Sequence, residues 1–204
     1  KKMLIDYIKN LKIPNSEIWI NEAKFGYAQI EEYCKNVKEN GNVLEIGSGS
    51  GILLSMLSES YPQLNFEGIE PFGQGFQHLD ELNFFIKSQG INIQNTSYEK
   101  FVSNKKFNLI FCVNVFEHLN DWRDFLIKIA GLLTNNGKII ILSPNYGFPY
   151  EPHFAIPILI NKRITYLVYK KHIKNFELQN NCKGLWESLN FVKKREVFNF
   201  YRNS

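Results

Sequence analysis

The sequence predicts an α/β fold, a doubly wound and mostly parallel sheet with helices on both faces. Two observations carry this. Short apolar runs alternate with helical patterns along the chain. The first of these runs also ends in a glycine-rich turn, Gly47-Ser48-Gly49-Ser50-Gly51, that opens a helix.

The elements follow in order. Met3 to Lys12 reads as a helix, and so does Glu17 to about Glu39, after the break at Pro14-Asn15-Ser16. Strand patterns cover Asn42–Ile46, Asn65–Ile69, Ile91–Asn95, Phe107–Val113 and Lys138–Leu142. Gly51–Tyr61 and Trp122–Leu133 are helical patterns, the second with Phe125, Leu126, Ile129 and Leu132 on one face. Gly137, behind Asn135-Asn136, is expected to stop it. In such sheets ligands bind at the carboxyl ends of the strands, so the loop after each strand is where chemistry is sought.

Composition sets bounds. A chain of 204 residues with 44% hydrophobic content fits a single domain over 1–204, with N-terminal helices at 1–40. The net charge of +4 permits an anionic substrate but does not point to nucleic acid. Cys34, Cys112 and Cys182 form no CxxC pair, so a reducing cytoplasm is the expected location. The apolar run Phe154–Ile160 contains Pro157 and is too short to span a bilayer. Lys1 and Lys2 precede the first Met, so the native start is expected elsewhere.

The first two loops suggest the ligand. A dinucleotide-binding turn would put its third glycine three positions after the second, where Ile52 stands; here it falls at Gly51. Glu45 also departs from that pattern and suits a cationic amine better than a pyrophosphate. Glu70 ends the second strand about twenty residues beyond the glycines, where a ribose-binding carboxylate belongs. Its two oxygens can accept hydrogen bonds from both ribose hydroxyls, and Phe72 could cover an adenine face.

The segments "LEIGSGSG", "FEGIEPF", "FNLIFCVNVFEHLND" and "LLTNNGKIIILSPN", read in this order over Asn42 to Asn145, resemble the class I S-adenosylmethionine-dependent methyltransferases. The branch they look like includes ubiquinone-pathway O-methyltransferases. The resemblance implies a Rossmann-like sheet of order 3-2-1-4-5-7-6 with only strand 7 antiparallel. Asn190 to Tyr201 looks like its sixth strand, which leaves almost nothing for the seventh. It further implies a cofactor site. Glu45 and the backbone of Gly47, Ser48, Gly49, Ser50 and Gly51 would face the methionine part, and Glu70 the ribose. Pro71 and Phe72 would flank the adenine, Ser97 and Tyr98 would reach its edge, and Asn114 would border the methionine part. The product would be S-adenosylhomocysteine.

Glu117 and His118 follow the fourth strand and are the expected catalytic pair, His118 as base for a substrate hydroxyl or as its orienter. Some of the O-methyltransferases resembled carry Glu-x-x-Glu-His there and hold a divalent ion. Asn114 replaces the first acid here, so metal-independent transfer is expected, although His153 could add a ligand if its loop folds back. His78 and His172 read as solvated surface residues. Residues 146–188 read as a substrate-side insertion, with Tyr146, Phe148, Tyr150, His153 and Phe154 as candidate acceptor-lining residues. Lys162, Arg163, Lys170, Lys171 and Lys174 read as the solvated face of a helix with Ile164, Leu167 and Val168 inward. Phe25-Gly26-Tyr27 could close over the cofactor.

The expected activity is methyl transfer to an oxygen of a small molecule or glycan precursor. N-methyl transfer, RNA 2′-O-methyl transfer and a non-catalytic cofactor-binding module are the alternatives, and the mild charge weighs against RNA.

Overall fold

The computed structural model describes residues 2–10, 16–71, 86–88, 90–180 and 182–202. They form two compact units, one of residues 1–113 and 125–142, the other of 114–124 and 143–204.

The first unit holds α1 (Lys2–Asn10), α2 (Ser16–Lys35), β1 (Asn42–Ile46), α3 (Ile52–Ser60), β2 (Asn65–Ile69), β3 (Asn92–Gln94), β4 (Phe107–Val113), most of α4 (Trp122–Ala130), and β5 (Leu133–Leu142). The sheet order is β3-β2-β1-β4-β5, and every neighbouring pair is parallel. This is the order expected for the first five strands. Alternation along the strands sorts the core into two layers. Val43, Leu109 and Phe111 join Ile20, Ile30, Leu53, Leu54 and Leu57 of α2 and α3 in one cluster. Leu44, Ile110 and Cys112, one step out of phase, are also buried but lie outside it. Each fully buried Leu or Ile contributes about 1.5–3 kcal/mol relative to exposure.

Several expectations change. The α2 helix is a layer of the core. Gly26 packs where a Cβ would meet Leu53 Cδ2 at 2.7 Å, and the Tyr27 hydroxyl donates to Ser60 Oγ at 2.9 Å. Gly26 and Tyr27 are therefore part of the packing, while Phe25 is exposed. The helix read to Glu39 ends at Lys35, and the one read to Leu133 ends at Ala130. Leu133 instead pairs with Phe107, and after an irregularity the ladder resumes at Leu109 with Lys138. Asn135-Asn136-Gly137 thus lies inside β5, where the strand is irregular, and does not stop a helix.

The second unit holds a short 3-10 turn at Phe116–His118, the hairpin β6 (Tyr150–Glu151) and β7 (Ile156–Pro157), α5 (Lys162–Gln179), α6 (Leu185–Ser188) and α7 (Lys194–Arg202). Phe154, Ile156, Ile173, Trp186 and Leu189 form its core. Asn161 caps α5 by accepting the Ile164 N–H at 3.0 Å. The buried residues of α5 are Thr165, Ile173 and Glu177, whereas Leu167 and Val168 are exposed. The inward stripe is thus offset from the expected one, because Tyr166, Tyr169 and Phe176 turn toward Phe154 and Trp186. His172 is exposed, as expected, and its Nε2 lies 2.8 Å from the Phe154 carbonyl oxygen. His78 lies outside the described residues.

The segment read as a sixth strand is helical from Lys194 onward. Val197, Phe198, Phe200 and Tyr201 recur at the helical period, and the Glu196 carboxylate accepts the Lys193 N–H at 2.9 Å at the helix start. Phe200 packs edge-on against Trp122 with ring centroids 5.5 Å apart.

Candidate active site

In the first unit the cofactor candidates converge on the loop after β1. Gly47, Gly49 and Gly51 have φ of 72°, 50° and 77°. A side chain at any of the three would be strained. At Gly51 a Cβ would also stand 2.4 Å from Ile93 Cδ1, whereas at Gly49 it would meet nothing within 4 Å. Gly51 is therefore required by packing, and Gly49 has open space beside it. The Gly47 and Ser48 N–H groups donate to the Ile69 carbonyl at 2.8 and 3.1 Å and hold the loop against the end of β2.

Glu70 stands at that strand end. Its Oε2 accepts the Gly49 N–H at 2.9 Å, so the acid after β2 and the loop after β1 are tied together. Burial raises the Glu70 carboxyl above the usual range, opposed by that N–H. Glu45 is buried in the middle of the sheet, and burial, then the charge of Glu70, pushes its carboxyl well above the ordinary value. Glu45 Oε2 and Ser48 Oγ are buried with no hydrogen-bond partner. Two near carboxylates and unsatisfied acceptors beside an open glycine fit a ligand bearing a cationic amine and a diol, which S-adenosylmethionine is.

This arrangement has a consequence for pH. In the fold both carboxyls release their protons less readily than in the unfolded chain. Ionising them costs folding free energy, so the unliganded protein is expected to lose stability as pH rises through the raised pKa values. A cationic amine favours the ionised form of Glu45. Cofactor affinity should therefore rise with pH over the same window, with net proton release on binding. Calorimetry in buffers of different ionisation enthalpy measures that release, and a value of zero would contradict the pairing of Glu45 with a cation.

The remaining cofactor candidates are less uniform. Pro71 is exposed directly after Glu70, and Phe72 lies outside the described residues. Ser97 is half-buried. The Tyr98 ring is buried edge-on against Phe125 at 5.1 Å, so it serves the core. Asn114 belongs to the second unit, is exposed, and has φ of 54°, which asparagine tolerates.

The second unit gathers a separate cluster. The Phe116–His118 turn is clamped by Asn190. Its side-chain amide donates to the carbonyls of Phe116 at 2.7 Å and Leu119 at 3.0 Å, and its N–H donates to the Glu117 carbonyl at 2.7 Å. Glu117 is buried; its Oε2 accepts from Ser143 Oγ at 3.0 Å, while Oε1 has no hydrogen-bond partner. Burial raises the Glu117 carboxyl, opposed by its own backbone N–H and by Ser143. His118 Nδ1 lies 2.9 Å from Ser188 Oγ, whose own proton goes to the Leu185 carbonyl at 2.8 Å. The hydroxyl therefore accepts from His118, which assigns the proton to Nδ1 and the lone pair to Nε2. Burial, then the charge of His153, lowers the His118 pKa to about 4, so its ring is neutral at neutral pH.

His153 sits in the β6–β7 hairpin, with Nδ1 2.6 Å from Glu151 Oε1. The buried Glu151 also accepts the Phe154 N–H at 2.7 Å and the Tyr146 hydroxyl at 3.3 Å. Burial pushes the Glu151 carboxyl up, but the bonds from His153 and Phe154 outweigh it and hold it below the usual value. Of the expected acceptor-lining residues, Phe154 and Tyr146 are buried, Phe148 and Tyr150 are exposed, and His153 is half-buried. Tyr146 stacks on Phe191 with centroids 4.4 Å apart. Lys162 does not point freely to solvent; its ammonium donates to the Glu187 carbonyl at 2.9 Å and to the Leu189 carbonyl, and burial lowers its pKa. Sequence reasoning missed Ser143, Glu151, Ser188 and Asn190, whose partners are distant in sequence or carry no motif.

Asn190→Ala removes both amide bonds to the turn. It is expected to destabilise the protein by about 1–3 kcal/mol in denaturant unfolding, with two buried carbonyls left short of a donor.

A groove of about 620 Å³ at the amino ends of β4 and β5, lined in part by Tyr33, Lys38, Lys106, Asn108 and Asn135, offers no comparable set of groups.

A methyltransferase-domain family matches residues 24–194. The chain belongs to this family. It is an S-adenosylmethionine-dependent methyltransferase domain with a Rossmann-like sheet, and solved relatives are complexed with S-adenosylhomocysteine. An uncharacterised protein of Mycobacterium tuberculosis is 30% identical over 182 residues, which cover 88% of this chain and 61% of that protein. A ubiquinone biosynthesis O-methyltransferase of Bradyrhizobium diazoefficiens is 26% identical over 148 residues, covering 69% of this chain and 56% of that protein. The methyltransferase domain therefore spans about three-fifths of the length of these relatives. The plantazolicin methyltransferase BpumL, in complex with a monoazolic desmethylPZN analog and SAH, superposes with a TM-score of 0.53 at 18% identity over 98% of this chain and 67% of that one. That likeness extends to the fold, and the ubiquinone branch is matched only distantly. No helix among the described residues is long and apolar enough to cross a membrane.

Proposed function

We propose that this domain transfers a methyl group from S-adenosylmethionine to an oxygen of a small hydroxylated molecule or glycan precursor. Bound S-adenosylmethionine supplies an electrophilic methyl on a sulfonium whose leaving group is a neutral thioether. In this reading Glu45 holds the amine, Glu70 the ribose hydroxyls, and the amides of the glycine loop lie along the methionine part.

The acceptor falls to the second unit. The observation that carries the oxygen assignment is the turn at Glu117–His118, which presents a carboxylate oxygen without a hydrogen-bond partner and an imidazole Nε2 lone pair. Both are acceptors, suited to a hydroxyl that must lose its proton as the new bond forms. They act on it directly. The ubiquinone relative, an O-methyltransferase by name, supports the same direction. The three cysteines are free thiols, as in a cytoplasmic protein.

A labelled-methyl screen over hydroxylated metabolites and glycan precursors tests the reading. The expected product is an O-methyl ether or ester. Tight cofactor binding with no labelled acceptor would favour the non-catalytic alternative, and label on nitrogen would overturn the oxygen assignment.

A further inference from the structure

We propose that the outer face of α5 docks flat on an anionic lipid bilayer surface. The helix runs from Lys162 to Gln179 within the second unit and is about 27 Å long. Thr165, Ile173 and Glu177 are its buried residues, and Tyr166, Tyr169 and Phe176 pack against the core around Phe154 and Trp186. Its three aromatic side chains are thus committed to the interior. On the opposite side, Leu167, Lys171, Lys174 and Leu178 recur at the helical period and are all exposed. Leu178 is 80% exposed, Leu167 63% and Val168 62%, and Ile160, just before the Asn161 cap, is 90% exposed. Arg163, Lys170, Lys171 and Lys174 stand among them, and none makes an ion pair among the described residues. Glu177 is the one acid on the helix, and its carboxylate is turned inward to accept the Trp186 N–H at 2.9 Å. Lys162 does not belong to this face, since its ammonium binds the Glu187 and Leu189 carbonyls.

A helix face with cations alone is an ordinary solvated surface. Here Leu167 and Val168, expected to turn inward, stand outside beside those cations, and the combination selects the partner. A second copy of the same face would meet four like charges. A nucleic acid would match the charge, but its backbone offers nothing to four aliphatic side chains, and this helix has no exposed aromatic ring on which to stack a base. An anionic bilayer satisfies both halves of the pattern. Headgroup phosphates take the lysines and the arginine, the aliphatic tips enter the acyl boundary, and the lysine stems lie along it with their ammonium groups in water. The helix is not long and apolar enough to cross a membrane, so it would lie in the plane of the interface. Docking is independent of which acceptor the domain methylates.

The test is flotation of the protein with unilamellar vesicles. Binding is expected to vesicles of equal parts phosphatidylcholine and phosphatidylglycerol, far less to phosphatidylcholine alone, and it should fall as salt is raised. Replacing three cations together, in Lys170→Gln, Lys171→Gln and Lys174→Gln, should weaken partitioning by about 100-fold, roughly fivefold per charge. Leu167→Ser combined with Leu178→Ser should weaken it by about tenfold or more. All five side chains are exposed, so the thermal unfolding midpoint should hold in both variants. Lys24→Gln, Lys38→Gln and Lys138→Gln together remove the same charge from exposed positions of the first unit and should leave binding nearly unchanged. In Leu167→Trp, lipids with brominated acyl chains should quench the added indole, which reports insertion directly. No binding to anionic vesicles at low salt would overturn the proposal, as would equal losses in the two lysine variants. Full binding by the leucine variant with no quenching of the indole would refute insertion, and retention by RNA or DNA in place of vesicles would assign the face to nucleic acid instead.

Discussion

Phe154→Ala is expected to destabilise the second unit by about 3–5 kcal/mol, the cost of emptying a large buried aromatic site. Phe154 is 1% exposed and packs on Phe176 at 5.0 Å and edge-on against Trp186 at 5.6 Å. Its N–H also binds Glu151, which orients His153, so the damage should spread to the cluster. Hydrogen exchange with denaturant titration measures both. Protection in the hairpin should fall while the β1–β2 amides of the first unit keep theirs. A loss below about 1 kcal/mol would mean that Phe154 lines an open surface, as its sequence position first suggested.

Glu70→Ala is expected to weaken binding of S-adenosylmethionine by about 1.5–3 kcal/mol, roughly 10–150-fold in Kd. Two losses combine. The ribose hydroxyls lose a charged acceptor, and the Gly49 N–H loses the oxygen that holds it at 2.9 Å. Glu70→Gln separates them, because it keeps an oxygen for Gly49 but removes the charge. Calorimetry should rank the wild type above Glu70→Gln and Glu70→Ala lowest. Equal affinity in all three would show that the ribose sits elsewhere.

What was legible in the sequence is what local chemistry dictates. The strands Asn42–Ile46, Asn65–Ile69 and Phe107–Val113 coincide with the observed β1, β2 and β4, because short apolar-rich segments of that length suit the largely buried strands of a parallel sheet. The glycine loop was legible because a left-handed backbone leaves glycine as nearly the only choice. Failures fell where tertiary contacts decide. Leu133 resembles the end of a helix until Phe107 is beside it. Asn190 to Tyr201 looks like a strand because its aromatic and β-branched residues favour strands, whereas the Glu196 cap tips its later part into a helix. His153 was visible as a histidine near aromatics, but only the β6–β7 hairpin brings it to Glu117. Glu151, Ser188 and Asn190 carry no motif, since a side chain that orients another is recognised by its partner and not by its spacing.

A crystal structure of the protein with S-adenosylhomocysteine tests the central claim most directly. The account predicts the ribose hydroxyls on the Glu70 carboxylate, the amine beside Glu45, and the ligand passing the open side of Gly49. A ligand seated away from the β1 and β2 loops, or a ribose with no contact to Glu70, would contradict it.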